Sequence, residues 1–172
     1  GLPAANGSSL PQSLTRRINF SPRRKAVRVD SPGRYLAPGG ALSVPVSAAN
    51  LERYVARLSP VFANNLVQLA LRESDSYRYY GEATDDLTGS GRAITNSLAT
   101  PTDGAPVRGR VELRRLAESE PRGIYWLEVG GDNAHGEGRL LVVTDLGLAA
   151  RIPAGQVLAW VNRLGSAEPV VG

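Results

Sequence analysis

The last third of the chain carries three strand-like runs in close succession: GIYWLEV from Gly123, RLLVVTDLGLAAR from Arg139 and QVLAWVNRLGSAEPVVG from Gln156. Gly-, Asn- and Pro-marked turns separate them, and the third closes on Ala167, Glu168, Pro169 and Val170, a pattern that starts a turn. Short strands repeated at near-regular spacing predict an all-β sandwich rather than a catalytic α/β core. At 172 residues the chain has room for one full domain, or for one domain and part of another.

The same alternation is present earlier. Ile18 and Phe20 flank Asn19, and Val27 and Val29 flank Arg28, which predicts a first strand interrupted at Pro22. Ser31-Pro32-Gly33 and Pro38-Gly39-Gly40 read as turns. Leu42, Val44 and Val46 then alternate with Ser43, Pro45 and Ser47, and a proline at that place predicts an edge strand or a bulge. Over Glu52 to Leu58, Tyr54, Ala56 and Leu58 fall on one side and Arg53, Val55 and Arg57 on the other, the pattern of a half-buried strand. Beyond Pro60 the period lengthens: Phe62, Leu66, Leu69 and Ala70 predict one short helix between Val61 and Glu73. Residues 74 to 106 have the least periodicity and are expected to form a long loop. Strands are expected again at 107–116, 124–129, 139–144, 148–152 and 156–164.

Composition narrows the chemistry. There is no cysteine, which excludes disulfides, thiolate metal sites and cysteine nucleophiles. The longest apolar runs fall well short of the roughly 20 residues that span a bilayer, and the first residues lack the charged start and apolar centre of a signal peptide. Twenty basic residues against sixteen acidic leave a net charge of +4, nearly all of it arginine, because Lys25 is the only lysine. The arginines gather at Arg16, Arg17, Arg23 and Arg24, and again at Arg108, Arg110, Arg114 and Arg115. In the second group Arg108, Arg110 and Arg114 share one parity while Val107, Val111 and Leu113 hold the other, as on a half-exposed strand with a solvated outer face.

The acid–base inventory points away from an enzyme. His135 is the only histidine and sits in GGDNAHGEG between two strong strands; with Asp132 and Glu137 it lies on a Gly-rich connection rather than on converging rigid elements, so neither a metal nor a cofactor is expected. A serine triad would need His135 as its base, and LTGSGRAI around Ser90 lacks the strand–turn–helix context of a nucleophile elbow. Asp85 and Asp86 are adjacent, so on an extended segment they point apart. No Gly-rich loop leads into a phosphate-binding helix. Tyr77, Tyr79 and Tyr80, with Arg78 among them, form an aromatic–basic cluster and are the candidate interaction surface. Trp126 and Trp160 stand at the centres of strong strands, where packing is the expected role.

Residues 123 to 172 resemble the part of bacterial α-macroglobulins where one macroglobulin-like domain ends and the next begins. Gly123, Ile124 and Tyr125 match a G-[IV]-Y strand; Val143, Thr144, Asp145, Leu146, Gly147 and Leu148 match V-T-D-L-G-L, the most specific element; Glu168, Pro169, Val170 and Gly172 match a small-x-P-V-x-G turn. Upstream, Val44, Pro45, Val46, Asn50, Arg57 and Leu66 look like the early strands of the same domain, so the resemblance covers about residues 16 to 172.

That resemblance implies an all-β antiparallel β-sandwich of the macroglobulin-like kind with one short helical insertion. With the lack of periodicity in 1–15 and the missing companions of the last two strands, it divides the chain into a flexible segment 1–15, a sandwich domain 16–147, and the start of a second, truncated domain at 148–172. It further implies a noncatalytic piece of a large, inner-membrane-anchored periplasmic endopeptidase inhibitor, a protease trap in which cleavage of a bait segment triggers enclosure of the protease. The implied partners are the remaining domains of the parent chain, the trapped endopeptidases and other envelope proteins, but not nucleic acid. Some members carry a C-x-E-Q thioester, which a cysteine-free segment cannot hold. The alternative is a docking β-sandwich that binds envelope proteins through the 74–106 loop.

Overall fold

The computed structural model describes residues 5–7, 15–19, 24–31, 33–74, 86–99, 105–117, 119–131, 133–153 and 155–170. In chain order the strands are β1 (Ala26–Val29), β2 (Tyr35–Leu36), β3 (Ser43–Ala49) and β4 (Arg53–Pro60), followed by a short 3-10 turn and helix α1 (Leu66–Ser74). Then come β5 (Arg92–Ser97), β6 (Val107–Glu112), β7 (Gly123–Gly131), β8 (Ala134–Val143), β9 (Leu146–Arg151) and β10 (Leu158–Arg163). The class is the expected one, mostly β with one short helix.

Strands β1 to β8 form one sheet in the order β5-β4-β7-β8-β1-β3-β6, with β2 added beside β8. It folds over at β8, where β1 pairs in parallel through Ala26 and His135, so β5-β4-β7-β8 makes one layer and β1-β3-β6 the other. Alternation then places every second residue inside. Val27, Val44, Val46, Tyr54, Ala56, Val111, Leu127 and Leu141 meet in one core, all with 1% or less of their surface exposed. Burying each large side chain contributes about 1.5–3 kcal/mol. The sheet nearly closes into a barrel: across the open seam, from β4, next to the end strand β5, the buried Tyr54 hydroxyl donates to the Arg110 carbonyl on the other end strand, β6, at 3.0 Å.

Several expectations need correction. The first strand begins only at Ala26; Ile18 is exposed and irregular, and Phe20 lies outside the described residues. Proline does not put β3 at an edge, since β3 lies between β1 and β6. The Pro45 carbonyl accepts the Asp30 N–H at 2.9 Å, so its nitrogen faces β1 too and has no hydrogen to return. Pairing with β1 therefore stops at Val29 and Val46. The 74–106 segment contains a strand, β5, which pairs with β4 from Arg53–Ser97 to Leu58–Arg92. Its Ala93, Thr95 and Ser97 face out while Ile94 and Asn96 are only half-buried, so hydrophobic alternation is weak there.

A second, smaller core lies on the outer face. Leu69 of α1 is buried with Val61, Leu87 and Leu140, and Leu66, Ile124 and Trp126 pack around it. The Trp126 indole lies over Gly138, where a Cβ would come within 2.4 Å of the ring.

Candidate interaction surface

Among the described residues, the chemistry-bearing side chains do not come together. His135 is exposed at the start of β8, and its backbone N–H donates to the Lys25 carbonyl at 3.0 Å. Glu137, two residues on, is buried; its carboxylate accepts the Val29 N–H at 3.0 Å and faces the Arg139 guanidinium at 3.4 Å. Among the described residues no three His, Asp or Glu side chains converge. Asp85 and Asp132 lie outside the described residues, as do Tyr77, Tyr79 and Tyr80, and Asp86 is exposed.

The Gly89-Ser90-Gly91 stretch is explained by packing. A Cβ on Gly89 would press on Phe62 and Pro60 at 3.1 Å, and one on Gly91 would collide with the Ser59 hydroxyl at 2.1 Å. These glycines let the segment cross the end of β4. Arg108 and Arg110 project from the outer face of β6, and the register aligns Arg28, Ser47 and Arg108 in one row across β1, β3 and β6. Arg114 is instead tied to Glu120 at 2.8 Å and to the Pro38 carbonyl at 3.1 Å. Glu120 is held below the usual carboxylate range by its hydrogen bond from Arg114, an exposed pair.

The surface that stands out is the β9–β10 hairpin, a two-stranded sheet of its own. Register puts Trp160 opposite Ala149 and Leu158 opposite Arg151 on one face, and Val161 opposite Leu148 and Ala159 opposite Ala150 on the other. Both faces carry exposed apolar side chains: Leu148 is 71% exposed and Trp160 50%, with Ile152, just past β9, at 73%. The outer edge of β10 is partly covered by the chain's own return, with the Val170 N–H on the Val161 carbonyl at 2.8 Å. Among the described residues β9 has no strand on its outer edge. A hairpin alone is at most marginally stable in water, and its apolar faces are interaction surfaces by their chemistry. Trp160 is thus not a core residue of the barrel.

Over 98% of its length the chain aligns with native α-2-macroglobulin from Escherichia coli spanning domains MG0-NIE-MG1, at a TM-score of 0.60 and 13% identity. Its fold is macroglobulin-like. A structure of that protein spanning domains NIE-MG1 aligns with 86% of the chain at a TM-score of 0.62 and 14% identity. The cryo-EM reconstruction of its native conformation aligns with 98% at 0.68 and 15%. The chain spans 55% of the first of these, 73% of the second and 11% of the third. No protein-family model matches the sequence, and no curated protein matches it either. At these identities the likeness is one of fold.

The sequence marked both strands of the hairpin and their lack of companions, but it did not mark Trp160 as half-exposed rather than packed. The missed signal is that both parities of 146–164 are apolar, which in a two-stranded sheet leaves one or both faces uncovered.

Proposed function

We propose that this segment is a noncatalytic structural module of a bacterial α-2-macroglobulin-like endopeptidase inhibitor of the cell envelope. The observation that carries the reading is the likeness in fold, over 98% of this chain, to 55% of a chain spanning three domains of an α-2-macroglobulin. The barrel supplies a rigid frame. The hairpin from Leu146, with exposed apolar side chains on both faces and, among the described residues, no strand on the β9 edge, begins a second module that neighbouring strands of the parent chain complete. Serial modules of this kind carry strain from a cut in one place to a rearrangement in another through their contacts. The role asks for no reacting group in this segment, and its partners are then the other domains of the parent and, through them, the enclosed endopeptidases.

The test is made on the full-length parent. A trap encloses the protease but leaves its active site working, so digestion of a large protein substrate should slow while cleavage of a short peptide by the same endopeptidase continues. Equal effects on both substrates, or none on either, would remove the trap reading. Osmotic-shock fractionation tests the envelope assignment: the parent should partition with inner-membrane or periplasmic markers, and a cytoplasmic location would refute it.

A further inference from the structure

Strands β8 and β9 are joined by only two residues, Thr144 and Asp145. Such a short link between a barrel and a hairpin that forms its own sheet is free to swing unless something holds it. Asp145 has one carboxylate oxygen on each side of the joint. Its Oδ1 meets Arg122, the residue before β7, at 3.1 Å, and its Oδ2 meets Arg163, the last residue of β10, at 3.5 Å. Three segments distant in sequence, the entry to β7, the joint and the end of the hairpin, therefore share one carboxylate.

The backbone around it is arranged to match. The Asp145 carbonyl accepts the Leu164 N–H at 2.6 Å, and the Thr144 hydroxyl accepts the Leu146 N–H at 3.0 Å. Gly147 leaves room for Leu164, whose Cδ2 would lie 2.8 Å from a Cβ there. The V-T-D-L-G-L string thus has a physical reason at each polar and small position: threonine turns the chain, aspartate takes the two arginines, and glycine admits Leu164.

We propose that Arg122, Asp145 and Arg163 form a clasp that fixes the angle at which the hairpin leaves the barrel, making this joint rigid rather than a flexible linker. Exposed ion pairs contribute little to stability. Their effect here is on direction, because two oxygens of one carboxylate restrain both bodies at once. Arg122 is also fixed on the barrel side, since its carbonyl accepts the Tyr125 hydroxyl at 3.0 Å. What the angle does for a neighbouring module rests on the function proposed above, whereas the clasp itself does not.

The chain has no cysteine, so two can be introduced as unique label sites. Ala93 on β5 and Ala159 on β10 are both exposed. With spin labels on Ala93→Cys and Ala159→Cys, the chain should show one narrow barrel-to-hairpin distance. Asp145→Asn should lose that single narrow distance and broaden it, and so should Arg122→Ala combined with Arg163→Ala, both with the barrel's amide protection unchanged. Raising salt to about 1 M, where the screening length falls to roughly 3 Å, should broaden it without substitution. A distribution already broad in the unsubstituted chain at low salt, or one that stays narrow in both variants, overturns the clasp. Neither result depends on protease inhibition, so failure of the clasp and failure of the trap are read separately.

Discussion

Val29 and Glu137 are joined side chain to backbone across the fold of the sheet: the Val29 N–H donates to Glu137 Oε2 at 3.0 Å. Strands β1 and β8 pair in parallel only through Ala26 and His135. Past that point a carboxylate takes the place of the missing backbone acceptor, and Arg139 balances its charge while donating to the Ser31 carbonyl. A buried acid is here a structural part of the layer junction.

Glu137→Ala should accordingly cost about 1–3 kcal/mol, because it strands a buried N–H and removes the carboxylate facing Arg139. Glu137→Gln keeps an acceptor for Val29 and should cost less. Urea denaturation measures both, and an alanine variant within about 0.5 kcal/mol of the parent would contradict the assignment.

Gly138→Ala should destabilise the barrel by about 1–3 kcal/mol by overpacking. Its new methyl would stand 2.4 Å from a rigid ring atom of Trp126 rather than from the end of a flexible chain. In a Trp160→Phe background, where Trp126 alone emits, the fluorescence maximum should shift along with the loss of stability.

Tyr54→Phe removes the hydroxyl that bridges the seam to the Arg110 carbonyl and should cost about 0.5–1.5 kcal/mol. The burial that raises the Tyr54 pKa also keeps the hydroxyl protonated as a donor at neutral pH. Amide exchange should quicken at β6 before β7 responds, and uniform acceleration would count against a local seam.

Acid should release the joint before it unfolds the barrel. The hydrogen bond from Arg122, with the charges of Arg122 and Arg163, holds the Asp145 carboxyl below its ordinary value of 3.8. A depressed carboxylate favours the closed arrangement above its unfolded pKa and loses that contribution as pH falls through the folded one. The barrel-to-hairpin distance should thus stay constant through mildly acidic solution and broaden only below about 3.8. Broadening centred near neutrality would point to another group.

The hairpin should be the least protected ordered part of the isolated chain. Amides of β9 and β10 are expected to exchange faster than those of β7 and β8, because only one strand pair with two open faces shelters them. Replacing Leu148 and Trp160 by serine should raise solubility and leave the barrel's melting temperature unchanged. A lowered melting temperature would show that the hairpin supports the barrel.

The alternation at Tyr54, Ala56 and Leu58 was readable because one face of that strand is buried and the other wet, whereas the strand expected over 107–116 ends at Glu112 and Leu113 is buried from a 3-10 turn instead. Strand β5 was hidden for the opposite reason: it is a six-residue end strand with small polar residues outside and little apolar burial inside. Pro45 misled because the rule about prolines concerns a missing hydrogen, and that hydrogen is not missed where the partner strand ends. The two arginines on Asp145 come from positions 122 and 163, and a pairing that depends on folding leaves no local periodicity. The same holds for Glu137, whose role depends on a strand 108 residues away.

Strand β8 runs ten residues with β7 along one edge and β1 and β2 on the other, and its last residue is separated from the hairpin by two. Mechanically, a load on the hairpin enters the barrel at Val143, along the axis of its most widely bonded strand. Hydrogen bonds lying across that axis are strained together instead of opening one at a time. Tension between modules would therefore be borne by the ladder of β7 and β8 acting in concert, and the two-residue joint would yield before the barrel does.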